Sequence, residues 1–173
     1  MHIIVDGYNL IRQSIALRQA ERQSLEEGRK ALLLMLNEYS RKKGHRVTVV
    51  FDGWEGGSPC EERDYFGETA VIYSPLGEKA DEVIKRIVAD RNDNFVVVSS
   101  DRAIASFAIS RGYSAIAALD FEKRLWLSTG PDDAEAVPVN EDETEGRIST
   151  KKRGVAHRLS RTKRREQIVL RKL

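Results

Sequence analysis

Cysteine, histidine and proline are scarce in this chain: one, three and four residues out of 173. The lone Cys60 excludes an intramolecular disulfide and a cysteine-built zinc site. His2, His45 and His157 stand in no ligand spacing, which argues against a histidine metal centre. No apolar run approaches the roughly 20 residues of a membrane span. The amino terminus, Met1-His2-Ile3-Ile4-Val5-Asp6, meets an acid with no basic segment before it, unlike a secretory leader. These absences set the expectation of a cytoplasmic protein with no membrane association.

Charge of one sign is missing locally although it balances globally. Residues 1–146 carry 18 Lys and Arg against 26 Asp and Glu, a net of −8, whereas residues 147–173 carry 11 against 1, a net of +10. An acidic body with a basic arm points to a polyanion for the arm and to cations for some of the body's acids. The predicted organisation is a folded domain over 1–127, an acidic flexible linker over 128–146, and a basic helical arm over 147–173. The arm's apolar residues are too few for a core of its own, so it orders on a partner or docks on the body.

Five short apolar runs punctuate the body: Ile3–Val5, Val47–Phe51, Ala70–Tyr73, Phe95–Val98 and Ser114–Ala117. Being continuous rather than alternating, they read as strands covered on both faces. A helix capped by Ser24 and Glu27 and closed by Gly44 lies between the first two. Others are predicted over Lys79–Asp90, Asp101–Arg111 and Leu119–Leu127. The expected fold is α/β: a three-layer sandwich around a central, mainly parallel five-stranded sheet. Residues 53–68, rich in glycine and charge, read as a long loop.

Ligands of open parallel sheets bind beyond the carboxyl ends of the strands. There stand Asp6, Asp52, Ser74, Ser99-Ser100-Asp101 and, less clearly placed, Asp120. Each aspartate also suits a turn or a helix cap, but together they converge on one sheet edge. At about 100° per helical residue, Asp81 falls in line with Ile84 and Val88 at the border of a buried stripe. Glu82 turns toward solvent. Clustered carboxylates repel one another and are tolerable where they bind cations or share protons. An all-oxygen donor set favours Mg²⁺ or Mn²⁺, ions that serve phosphoryl chemistry.

Val5-Asp6-Gly7-Tyr8-Asn9, Val50-Phe51-Asp52-Gly53, Glu78-Lys79-Ala80-Asp81-Glu82 and Ser99-Ser100-Asp101, in that order, resemble the NYN branch of the PIN-like nucleases, specifically the YacP-like bacterial endoribonucleases. The resemblance spans residues 2 to about 127. It implies a PIN-like fold and metal-dependent cleavage of single-stranded RNA by activated water. Asp6, Asn9, Asp81 and Asp101 match active-site positions, the three aspartates as metal ligands. Asn9 would orient water or the scissile phosphate, and Asp52, Ser99, Ser100 and, should the helix start irregularly, Glu82 would stand behind the ligands. Two departures matter. Asp81-Glu82 replaces a frequent Asp-Asp pair, and Ala105 stands where some relatives carry another acid, which implies one ion held firmly and a second only with substrate.

Trp54, Arg63, Tyr65 and Phe66 interleave aromatics with a base after Asp52, suited to stacking splayed nucleotides. Lys151, Lys152 and Arg153, with Lys163, Arg164 and Arg165, suit RNA phosphates, and the ribosome is one structured RNA such an arm would reach. The competing reading is a catalytically silent RNA- or ribosome-binding protein that keeps the fold. A haloacid-dehalogenase-like phosphatase would need an acid at Tyr8. No Gly-rich phosphate loop and no G-x-S-x-G elbow is present.

Overall fold

A computed structural model describes residues 1–53, 58–90, 94–129 and 161–173. In chain order the elements are β1 (His2–Asp6), α1 (Gly7–Gln13), α2 (Ile15–Glu21), α3 (Leu25–Lys43), β2 (Arg46–Phe51), β3 (Glu62–Phe66), β4 (Thr69–Tyr73), α4 (Ala80–Asp90), β5 (Phe95–Val98), α5 (Arg102–Ser110), β6 (Ser114–Ile116), α6 (Ala118–Thr129) and α7 (Arg161–Leu170). The sheet order is β3-β4-β2-β1-β5-β6, parallel throughout except for the antiparallel β3–β4 pair.

The alternation of side chains along each strand separates two apolar cores. Ile3, Val5, Val49 and Phe51 meet Leu10 and Ile11 of α1, Leu32 and Leu36 of α3 and Phe121 of α6 on one face. Ile4, Val50, Ile72 and Val97 meet Val83, Ile84 and Val88 of α4 and Ile104 of α5 on the other. β1 and β5, buried on both faces, therefore read as unbroken apolar runs. Ser24 caps α3 by accepting from the Glu27 N–H at 3.0 Å, and Gly44, at φ 64°, ends it in a left-handed turn.

Three expectations need correction. The sheet has six strands among the described residues, because β3 lies within the segment read as a loop. Its residues Glu62-Arg63-Asp64-Tyr65-Phe66 are mostly exposed on a sheet edge, so no apolar pattern announces them. The hairpin turns at Gly67, whose φ of 58° favours glycine. The path from β1 to β2 also holds α1 and α2, each seven residues long and too short for a clear stripe. The helix expected to end at Leu127 runs from Ala118 to Thr129.

The described part of the basic arm docks on the body. α7 packs beside β6, and Val169 and Leu170 lie against the first core. Leu173 is only 3% exposed, and its carbonyl accepts from the Tyr39 hydroxyl at 3.4 Å. Among the described residues no helix is long and apolar enough to cross a membrane. Trp54, Lys151, Lys152, Arg153 and nearly all of the acidic 128–146 stretch lie outside the described residues.

Candidate active site

The chain runs from β1 outward to β2 and β4, then crosses back through α4 to β5 on the other side of β1. That reversal opens a crevice at the carboxyl end of β1, the place where open α/β sheets bind ligands. A cleft of about 240 Å³ lies there, lined by Asp6, Tyr8, Asn9, Arg12, Gln13, Asp52, Asp81 and Asp101.

Three of the four aspartates in it are fixed by work done for the backbone. Asp6 ends β1 and caps α1: its Oδ1 accepts from the Asn9 N–H at 3.2 Å and its Oδ2 from the Ser99 hydroxyl at 3.0 Å. The Ser99 Oγ in turn accepts from the Asp101 N–H at 3.1 Å. Asp101 caps α5, accepting from Ala103 at 2.6 Å and Ile104 at 3.2 Å. Asp52 caps α4 from outside that helix, accepting from the Ala80 N–H at 2.7 Å. Asp81 thereby enters the cleft from the first turn of α4, half-buried, with Ala80 and Ile84 in the core.

Two glycines let these elements close up. A Cβ on Gly7 would sit 2.3 Å from the Phe51 ring, and one on Gly53 would sit 2.4 Å from the Ser74 carbonyl oxygen. Ser74 accepts from the Gly53 N–H at 2.9 Å and donates to the Glu78 carbonyl at 2.6 Å, tying the turn before α4 to the end of β2.

Burial sets the electrostatics. Asp6 is 7% exposed, and removal from water pushes its carboxyl up to about 6. The bonds from Asn9 and Ser99 oppose that rise, and the charges of Asp81 and Asp52 add to it. Burial also raises Asp81, helped by the charge of Asp101 and opposed by Lys85. A site that resists its own ionisation in this way is one that a cation relieves.

The donor chemistry suits Mg²⁺ or Mn²⁺, since the cleft offers carboxylate oxygens and no imidazole or thiol. A closed cage is not formed: among the described residues no three His, Cys, Asp or Glu side chains stand together closely enough to hold an ion. Mg²⁺ commonly binds through one or two carboxylates, several waters and substrate phosphates, which such an open arrangement accommodates.

The structure thus brings Asp6, Asn9, Asp52, Asp81 and Asp101 together, with Ser99 behind Asp6. Asn9 joins two loops, its Oδ1 accepting from the Ser100 N–H at 2.9 Å, and the Ser100 hydroxyl accepts from the Ala118 N–H at 3.1 Å. Glu82 is not brought in; it is exposed and binds Lys85 at 2.8 Å. Asp120 stands outside as well, paired with Lys123 at 3.3 Å.

Arg63 and Tyr65 also leave the cleft. As part of β3, Tyr65 pairs with Ala70, toward the amino end of β4 and away from the acids. Arg63 is held by Glu61 at 2.7 Å. Burial would raise Glu61, but hydrogen bonds from Arg86 and Arg63 outweigh it and hold that carboxyl low. Lys163, Arg164 and Arg165 are exposed on α7. The last two line a groove of about 440 Å³ with Tyr113 and Ser114, at the sheet end opposite the acids. Tyr8, Arg12 and Gln13 are cleft residues that sequence reasoning missed. The signal available was Asp6 as an N-cap ahead of Leu10 and Ile11.

A six-stranded, mainly parallel sheet with acids gathered at its carboxyl edge is the architecture of a PIN-like α/β domain. The chain matches the YacP-like NYN domain over residues 3–170 and belongs to that nuclease-related family. It is 33% identical over 91 residues to the uncharacterized protein YacP of Bacillus subtilis (strain 168), and so spans about half (53%) of that relative's length. It resembles the crystal structure of Rae1 (YacP) from Bacillus subtilis with a TM-score of 0.61 and 27% identity, covering 74% of this chain and 75% of that one. The crystal structure of a mutant of that same Bacillus subtilis protein gives a TM-score of 0.62 at 27% identity, covering 74% of this chain and 76% of that one.

Proposed function

We propose that this protein is a metal-dependent endoribonuclease that cleaves single-stranded RNA, such as mRNA, in the cytoplasm. The observation that carries the reading is the convergence of Asp6, Asp52, Asp81 and Asp101 on one cleft. Asp6, Asp81 and Asp101 would hold Mg²⁺ or Mn²⁺. Bound there, the ion supplies Lewis acidity, lowering the pKa of water and offsetting charge on the phosphate and leaving oxygen.

The chain's own groups do the rest. Asn9, with its carbonyl oxygen spent on Ser100, offers its amide N–H₂ to the phosphate or to the attacking water. Ser99 holds Asp6 in orientation, and Asp52 sets α4, and with it Asp81, against the end of β2. Lys163, Arg164 and Arg165 grip RNA away from the cleft without reading sequence, along with Lys151, Lys152 and Arg153. The ribosome is the structured RNA we assign to that arm.

A second reading, an RNA- or ribosome-binding protein that does not cut, draws on the lack of a ready-made metal cage among the described residues. One experiment separates the two. Wild type, Asp6→Asn and Asp81→Asn are incubated with end-labelled single-stranded RNA in Mg²⁺, Mn²⁺ or excess EDTA, and the product ends are mapped. The nuclease reading expects metal-dependent cutting by wild type alone, leaving 5′-phosphate and 3′-hydroxyl ends. Cyclic 2′,3′-phosphate ends overturn attack by water. Equal RNA binding by all three with no cutting, even with ribosomes added, establishes the second reading.

A further inference from the structure

A cleft lined by four aspartates repels the polyanion it is to cut, so a nuclease built on it needs a cation at its border. Among the described residues lining the cleft, Arg12 is the single cation. It stands on the last turn of α1, with its guanidinium carbon 5.4 Å from the centroid of the Tyr8 ring. Tyr8 is a fixed floor: it is 8% exposed and packs edge-on against Phe51 at 5.2 Å between centroids. The ion pair from Arg12 Nε to Glu21 Oε1 is long, at 4.0 Å, and the Arg12 side chain is 65% exposed. Two further cations, Lys79 and Lys85, act on Asp81 but do not line the cleft, and Lys85 is held at 2.8 Å by Glu82.

We propose that Arg12 is the phosphate clamp of this cleft. With its guanidinium laid on Tyr8, it takes a phosphate flanking the scissile one, offsets the repulsion of the aspartates and sets the register of the strand. The assignment rests on the nuclease reading above. A planar guanidinium supported on a ring offers two parallel N–H donors to a phosphate, which an ammonium does not reproduce. Arg12 is therefore a substrate-binding group, while Tyr8 and Glu21 position it.

The test is a salt titration of single-stranded RNA binding in EDTA by the full chain, paired with cleavage kinetics in Mn²⁺. Arg12→Ala is expected to weaken binding about tenfold, the loss of one charge-assisted contact. It should also flatten the slope of log Kobs against log salt by about 0.7, the value of one phosphate on a single strand. KM rises with little change in kcat. Arg12→Lys restores the slope but not the full affinity, and Glu21→Gln, which frees the guanidinium, tightens binding. If wild type cuts RNA and Arg12→Ala leaves the slope and KM unchanged, the clamp is overturned and the nuclease stands. If nothing cuts RNA yet Arg12→Ala still lowers the slope, the clamp stands and the nuclease reading fails. RNA binding absent from wild type overturns both.

Discussion

Replacing Asp6 with asparagine should make the metal-free protein more stable at neutral pH, although it removes a group proposed to be essential. Asp6 titrates near 6 in the folded protein, against 3.8 for an ordinary aspartate. Between those values the folded state keeps a proton that the unfolded chain has released, so stability falls as pH rises through that window. By linkage the loss comes to about 3 kcal/mol, complete above pH 6 and absent below pH 4. Asparagine never ionises and escapes it. Its Oδ1 can still accept from the Asn9 N–H, and its N–H₂ can donate to Ser99 Oγ, which has a second lone pair beside the one taken by the Asp101 N–H. Exchanging charged for neutral hydrogen bonds costs about 1 kcal/mol. The net expectation above pH 6.5 is a gain of about 2 kcal/mol, or roughly 4–8 °C in Tm for a chain of this length. Urea and thermal unfolding of both proteins in EDTA from pH 4 to 8 measure it. Added Mg²⁺ or Mn²⁺ should stabilise wild type more than the variant. A variant no more stable than wild type at pH 7.5, or a difference that ignores pH, refutes the reasoning.

Two other substitutions probe how the site is supported. Gly7→Ala puts a methyl group 2.3 Å from the Phe51 ring and is expected to cost about 1–3 kcal/mol, partly recovered by Phe51→Leu, as read from urea midpoints. Leu173→Ala, at a residue 3% exposed beside the first core, should cost about 2–4 kcal/mol, with the urea m-value unchanged.

The acids were legible because of where apolar runs stop. The buried run Ile3-Ile4-Val5 leads directly into Asp6, and Val47–Phe51 into Asp52, so strand ends and candidate ligands are read in one step. Asp81 came from helical periodicity, and the same wheel turned Glu82 outward, where it meets Lys85. Less visible were features without an apolar signature. β3 sits on an edge and carries Glu62, Arg63 and Asp64, so it read as loop; pairing it with β4 carries Arg63 and Tyr65 out of the cleft. α1 is seven residues long, and its contribution of Tyr8, Arg12 and Gln13 depends on Asp6 starting the helix at once, a choice that tertiary packing makes. The seat of Leu173 depends on contacts with Tyr39, more than a hundred residues away in sequence.

The two ends of the sheet solve the same exposure problem by different means. β3 keeps its open edge unattractive with charge, whereas β6, only three residues long, has α7 lying beside it. Drawing α7 away would uncover the short edge strand β6 together with the apolar seat of Leu173. Docking of the arm and colloidal stability are then linked: detaching α7 is expected to favour edge-to-edge self-association, which light scattering of a chain truncated before α7 measures.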